Sequence, residues 1–373
     1  MMLSILLLLS LLIFSLSNAW DPKGDYKHAV FPCETECARM SSGLCFTTSW
    51  RTPAAWSRTL SVGCQYVMYS ISLGSAVAGI NGILDYWGGK PCSFMFLSRH
   101  SELVKNARLK NLHRMGNWTV LLVDDFPNFV SLRRAGKIPK FAPNFFFSKN
   151  VSYAMYLDSK YQLKVNPIEV IQNYSSFDSN VVLSAFRHPK NPSFENEHAN
   201  ILRSAAKRPT ITDDLSKVNA QVENYTNSEV ISQLRTEGRN QVMIEAGMLI
   251  HKMHDKRGNV FRCAWLDQVQ QWSDRDQVAF PFMVAHFNGG KPYLNNTLTH
   301  PAYNNDSFMV PLQFKSHGGD AYINLIPARY YWRNKRYKHN FGNISYETWH
   351  EKIDIQKQAT AAAAQGHRSL LEA

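Results

Sequence analysis

Beyond its amino-terminal leader the 373-residue chain has no run of 18 consecutive apolar residues, so the sequence offers no second membrane span. It contains no G-x-S-x-G elbow, no P-loop, no G-x-G-x-x-G after a strand and no H-E-x-x-H pair. The sequence signatures of α/β-hydrolases, P-loop enzymes, dinucleotide binders and zincins are therefore all missing. Gly88-Gly89 and Gly289-Gly290 read as turns instead. Acidic side chains are scarce: 29 Asp and Glu face 41 Lys and Arg, a formal net charge of +12. That balance favours anionic partners such as nucleotide diphosphates, acidic polysaccharides or membrane headgroups. Cysteines number six, without paired C-x2-C spacing, so disulfides are expected rather than zinc.

The leader itself has no charged side chain in its first 19 residues. Leu3 to Leu16 is a continuous run of Leu, Ile, Phe and Ser, and Ser17-Asn18-Ala19 supplies small residues before Trp20. A run of this length is short for a membrane span and right for a signal peptide over 1–19. An uncleaved anchor is the alternative, because a basic stretch before the apolar run is missing; membrane association is expected only in that case. Seven Asn-x-Ser/Thr sequons agree with a secretory route: Asn117, Asn150, Asn173, Asn224, Asn295, Asn305 and Asn343. That route points to the Golgi lumen or secretion, and it removes nucleic acid from the partners. Cys33, Cys37, Cys45 and Cys64 cluster, which predicts pairing largely within the cluster, while Cys92 and Cys263 stand apart.

Short apolar runs bounded by turn residues predict strands at 65–71, 91–97, 118–123, 151–157, 180–186 and 241–251. Helical patterns fall between them, at 101–113, 167–174, 212–236 (one helix or two), around 263–272, and from Ser273 onward. Strands alternating with helices predict an α/β layer fold. The division expected is a Cys-rich extension over 20–62, a main domain over 63–342, and a helical or disordered tail over 343–373.

Five constellations suggest chemistry. Tyr153 to Leu157 is a strand that ends in Asp158-Ser159-Lys160. A carboxylate at a strand's exit is costly unless it serves the sheet's carboxyl edge, where open α/β sheets bind ligands; the alternative is a turn cap. Arg187-His188-Pro189 ends another strand, with Glu195, Glu197 and His198 beyond it. That places a cation and an imidazole at the same edge, or else starts a solvated helix. Glu245-Ala-Gly247 puts a glycine inside an apolar strand, where backbone can approach a ligand closely. Arg275-Asp276-Gln277 either opens a helix with an acid near its positive end or lines a cleft with sugar- and phosphate-binding groups. Arg329 to His339 interleaves basic and aromatic residues, a pattern of surface strips and of anion sites.

In this order the elements resemble a plant and algal family of mucilage-related glycosyltransferase-like proteins, one branch of which is described as alkaline ceramidase. The resemblance runs over roughly 64–340. It rests on Tyr156 to Lys160 with Leu163 and Asn166-Pro167, and on His188-Pro189 with Glu195 and Glu197. Glu245 with Gly247, Trp265, and Ser273 with Arg275 to Gln277 and Phe280 complete it. Lys140-Phe-Ala-Pro143-Asn144 carries Asn where the family has His. The resemblance implies a GT-A-like nucleotide-diphospho-sugar transferase fold, a mixed, mostly parallel sheet flanked by helices. It implies that Asp158 faces the nucleotide-sugar, directly or through Mn2+ or Mg2+, and that Lys160 neutralises the diphosphate. Arg275, Asp276 and Gln277 would bind donor or acceptor, with Asp276 as the base; Arg187 and His188 would contact phosphate or acceptor. The function expected is transfer of a hexosyl or pentosyl group from a nucleotide-sugar donor to a cell-wall or mucilage-type polysaccharide or a glycoprotein. A lipid amide hydrolase and a non-catalytic carbohydrate-binding relative are the alternatives.

The leader and sequons make a direct prediction. Expressed in a eukaryotic secretory host, the product should begin at Trp20 and shift on glycosidase treatment. A cytosolic, unmodified product would remove the secretory assignment.

Overall fold

The computed structural model describes residues 48–73, 92–101, 104, 112–115, 118–124, 131–158, 161–163, 166–176, 178–188, 193–207, 214–238, 241–288, 294–295, 308–312, 321–326 and 331–333. The leader, most of the cysteine cluster and the tail after 342 lie outside the described residues. Ten strands form the main sheet: β1 (Tyr66–Ser72), β2 (Cys92–Ser98), β3 (Leu112–Met115), β4 (Trp118–Val123), β5 (Tyr153–Leu157), β7 (Val181–Arg187), β8 (Ile244–Lys252), β9 (Leu294–Asn295), β10 (Phe308–Leu312) and β11 (Ala321–Ile326). Their spatial order is β3-β4-β2-β1-β5-β8-β7-β11-β10-β9. β6 (Tyr161–Leu163) and β12 (Tyr331–Arg333) pair as a separate antiparallel ribbon.

The pairings fix the directions. Seven of the ten strands run one way, and β3, β8 and β10 run against them. The sheet is thus mixed, as the resemblance implies: seven strands share one direction, while five of the nine neighbouring pairs are antiparallel. β8 lies antiparallel between β5 and β7, so its start sits beside their ends: Met248 opposes Leu157, and Ile244 opposes Arg187.

Both faces of the central strands are covered, which explains why they read as continuous apolar runs and not as alternating ones. Along β5, Ala154 and Tyr156 enter one core cluster, and Met155 and Leu157 the other. β1 and β4 divide in the same way, Val67 and Tyr69 against Met68, and Leu121 and Val123 against Val120 and Leu122. The larger cluster is covered by α1 (Thr48–Leu60), α2 (Leu132–Phe141), α3 (Pro143–Phe146), α5 (Phe194–Lys207), α6 (Leu215–Thr226), α7 (Glu229–Thr236), α8 (Lys256–Gln271) and α9 (Asp276–Asn288). The other is covered by α4 (Pro167–Tyr174) through Val170, Ile171 and Tyr174. Local chemistry sets the helix starts. Asn166 caps α4 by accepting from the Ile168 N–H at 2.9 Å, with Pro167 at the first turn. Asp255 caps α8 by accepting from Arg257 and Gly258. Among the described residues no helix is long and apolar enough to cross a membrane.

One cysteine expectation needs correction, and the described part of the expected extension, residues 48–62, packs onto the main domain. Trp50 of α1 is fully buried and meets Phe96 of β2 and Phe146 of α3 edge-on, with ring centroids 5.7 and 5.3 Å apart. The Ser57 hydroxyl donates to the Phe146 carbonyl at 2.5 Å. Cys64 is bonded not within the cysteine cluster but to Cys92, 28 residues on, because β1 and β2 are neighbours and their starts are level. Cys263 is also a disulfide cysteine.

Two stability measurements follow from this packing. Trp50→Ala should cost about 3–5 kcal/mol in denaturant unfolding, the scale of a buried aromatic truncated in a packed core; a loss under 1 kcal/mol would return α1 to the status of an appendage. Replacing Cys64 and Cys92 together by Ala should cost about 3–4 kcal/mol, the chain-entropy value for a loop of this length, and an unchanged midpoint would count against it.

Candidate functional site at the carboxyl edge of the sheet

The ends of β5 and β7 and the start of β8 form one stretch of sheet edge. Asp158 continues β5, its N–H donating to the Gly247 carbonyl at 2.7 Å. His188 continues β7, its N–H donating to the Met243 carbonyl at 2.9 Å. Between Ala185 and Phe186 the β7–β8 register shifts, the partners jumping from Leu249 to Glu245. Gly247 sits within that irregularity, a bulge of the kind that re-aims side chains at a sheet rim. Glu245 emerges beside it, and its Oε2 lies 3.9 Å from Nε2 of His188, both side chains mostly buried. Arg187 is exposed at the same edge.

Behind this edge lies a buried ionic cluster. Lys137 and Lys140 occupy one side of α2, a turn apart. Both ammonium groups meet the same carboxylate oxygen, Oδ2 of Asp276, in the first turn of α9; for Lys137 the separation is 2.9 Å. The Lys140 and Asp276 side chains are nearly fully buried, whereas Lys137 keeps 18% of its side-chain surface. Lys140 also lies over the Tyr156 ring at 4.9 Å, and its carbonyl accepts from the Tyr69 hydroxyl at 3.2 Å. Asp158 follows Tyr156 by two residues, on the same face of the strand, and its charge acts on Lys140. The middle of α2 is seated at the end of β1: a Cβ on Gly136 would lie 3.6 Å from Ile71 and 3.8 Å from Leu73.

Asp276 is anchored from its main chain too. Its carbonyl accepts from the Trp265 indole N–H at 2.9 Å, and Trp265 packs against Phe141 of α2 at 4.3 Å. Burial works to raise the Asp276 carboxyl, but Lys137 and Lys140 outweigh it and hold the group well below the usual carboxylate range. Burial pushes Lys140 below the usual lysine range, against the pull of Asp276.

The structure gathers most of the sequence-predicted residues. Asp158, Arg187, His188, Glu245 and Gly247 share the edge. Gln277 joins them, its amide donating to the Ile244 carbonyl at 3.0 Å and so fixing the entry of β8. Asp276 sits behind them on the lysines. Arg275 is half-buried, its N–H donating to the Ser273 hydroxyl at 3.3 Å. Lys160 lies outside the described residues. Backbone pairing of β6 with β12 sets Tyr161 opposite Arg333, so part of the basic–aromatic segment reaches the exit of β5. Glu195 and His198 are elsewhere: Glu195 pairs with Arg235 and Gln241, and His198 with Asn219. The sequence reading quoted Lys140 only within a family motif and gave neither it nor Lys137 a role. The signal was their position: Ala135, Ile138 and Phe141 are core residues, so a lysine at 140 has core on both sides.

Among the described residues no three acid, histidine or cysteine side chains converge as a metal cage. A divalent cation carried on a diphosphate needs as few as one protein carboxylate, and Asp158 is the residue that would hold it.

A family model described as the TOD1/MUCI70 glycosyltransferase-like domain matches residues 82–306, more than half of the chain. Two Arabidopsis thaliana proteins are similar: "Probable hexosyltransferase MUCI70", 25% identical over 191 residues, and "Alkaline ceramidase TOD1", 22% identical over 288 residues. These alignments cover 51% and 75% of this chain but 31% and 54% of the relatives, so the chain spans about a third to a half of their lengths. Among solved structures, the apo form of mouse xyloside xylosyltransferase 1 is 10% identical with a TM-score of 0.34, covering 60% of this chain and 82% of that one; a likeness that low decides nothing here. By the extent of the family match, the chain belongs to the TOD1/MUCI70 glycosyltransferase-like domain family.

Proposed function

We propose that this chain is a secretory-pathway glycosyltransferase that moves a hexosyl group from a nucleotide-sugar to a polysaccharide or glycoprotein acceptor. The observation that carries the reading is the meeting of Asp158 with the His188–Glu245 pair at one edge, backed by buried lysines, in a chain of a glycosyltransferase-like family. The hexosyl choice draws on the name of one relative; the leader and sequons support the compartment.

Transfer needs three things from the protein: neutralisation of the departing diphosphate, a fixed donor sugar, and a proton acceptor for the attacking hydroxyl. Asp158 faces the donor. A divalent cation bound there would neutralise phosphate charge, and Lys160 would add to it. Arg187, Arg275 and Gln277 line the donor and acceptor side. We assign the proton acceptor to His188, oriented by Glu245, and not to Asp276 as the sequence suggested. A buried carboxylate that holds two ammonium groups is too weak a base for the task. Asp276 is a positioning residue instead. As the acceptor oxygen bonds to the anomeric carbon, its proton passes to His188 and the nucleoside diphosphate leaves with the bonding pair.

The lipid-amide hydrolase reading rests on the second relative, whose alignment covers more of this chain. One experiment separates the two. Secreted, disulfide-intact protein is screened for turnover of nucleotide-sugars, with and without manganese, and in parallel for ceramide hydrolysis. Nucleotide-sugar turnover is expected, reduced by two or more orders of magnitude in Asp158→Asn and in His188→Gln with folding retained. Ceramide hydrolysis alone, or turnover unchanged in both variants, would overturn the proposal.

A further inference from the structure

Lys137 and Lys140 share one carboxylate, so the cluster holds two cations against one anion. A surplus positive charge inside a protein is costly unless an anion answers it. Asp158 answers part of it, since its charge reaches Lys140. The cluster is not sealed, because Lys137 keeps 18% of its side-chain surface and stands beside Gly136, which is seated on the end of β1. That seat puts this turn of α2 at the end of β1, the strand paired in parallel with β5, and so at the end of the sheet where Asp158 lies. Lys140 is fixed at four points: the Asp276 carboxylate, the Tyr156 ring, the Phe141 ring at 5.4 Å, and the Tyr69 hydroxyl on its carbonyl. A lysine held this way is a cation fixed in place, and its partially exposed neighbour is the contact.

We propose that Lys137 and Lys140, set by Asp276, form an anion-binding element that takes the diphosphate of the nucleotide-sugar, with Lys137 in contact and Lys140 as the fixed charge behind it. The proposal rests on the glycosyltransferase reading for the identity of the ligand, and on the ion cluster for the site. It gives Asp276 an unusual sign. Asp276 competes with the ligand for the lysines, so removing its charge should strengthen anion binding; a residue that contacts the sugar or takes the proton would do the reverse.

The test is calorimetric titration of the full secreted protein with inorganic pyrophosphate, with monophosphate and UDP as further arms. Pyrophosphate should bind more tightly than monophosphate. Lys137→Met should weaken it about tenfold or more, the scale of a lost hydrogen bond between charged groups, and Lys137→Arg should restore it to within a few-fold. Asp276→Asn, shown folded by near-ultraviolet circular dichroism, should bind pyrophosphate more tightly than the parent. Equal binding by parent and Lys137→Met, no binding by the parent at millimolar pyrophosphate, or weaker binding by folded Asp276→Asn would each overturn the proposal. If Asp276→Asn does not fold, the Lys137 variants decide alone. Pyrophosphate binding through Lys137 without turnover of any nucleotide-sugar would sustain the anion site and remove the proposed function. Nucleotide-sugar turnover indifferent to Lys137→Met would do the opposite.

Discussion

The carboxylate of Asp276, clasped by Lys137 and Lys140, is the constraint on which the site depends. It joins α2 to α9 across the face that covers β1 and β5. Trp265 reinforces the joint from α8 by donating to the Asp276 carbonyl and packing on Phe141. Three helices are thereby registered on one residue, and Lys140 is delivered to the ring of Tyr156, two residues before Asp158. A buried ion pair of this kind adds little net stability compared with an apolar replacement, since desolvation consumes most of its Coulombic gain. What it supplies is position: an ammonium group that cannot move away from the strand exit behind which it sits.

The second constraint is topological. β8 runs antiparallel between β5 and β7, and this alone brings Glu245 and Gly247 to the edge occupied by Asp158 and His188. Were β8 parallel to its neighbours, its entry would face the opposite end of the sheet. The register shift near Gly247 finishes the arrangement, because a regular ladder would oppose Phe186 with Met248 and leave Glu245 further along the edge.

Much of this was legible in the sequence, for identifiable reasons. β1, β2, β4, β5 and β7 read clearly because both faces are buried, which yields short unbroken apolar runs. α4 read to the residue because Asn166 caps it and Pro167 opens it. The glycine in β8 read as a point of close backbone approach; the register shift beside it was not expected from the sequence. α2 did not read as a helix, since Arg133, Arg134, Gly136, Lys137, Pro139 and Lys140 leave it few apolar positions to display a period. Its lysines look like surface until the packing partners of Ala135, Ile138 and Phe141 are known. α1 was obscured by its cysteine-rich surroundings, although Trp50 is a core residue. Asp276 stood out in the sequence as an acid opening a helix, but sequence does not reveal that two lysines share its oxygen.

On the proposed reading, the charges at the edge do for a diphosphate what a pair of carboxylates with a divalent cation would do. Two carboxylates holding one divalent cation sum to zero before the diphosphate arrives, and they present a cation to it. Asp158, Lys137, Lys140 and Asp276 also sum to zero, one acid in front, one behind, and two ammonium groups between. In both arrangements a diphosphate would meet positive charge whose own counter-charge is already fixed, so little reorganisation would accompany its binding. The lysine version differs in one respect. Its cations belong to the chain, and both meet on Asp276, which ties the electrostatics of the edge to the packing of α2, α8 and α9 behind it.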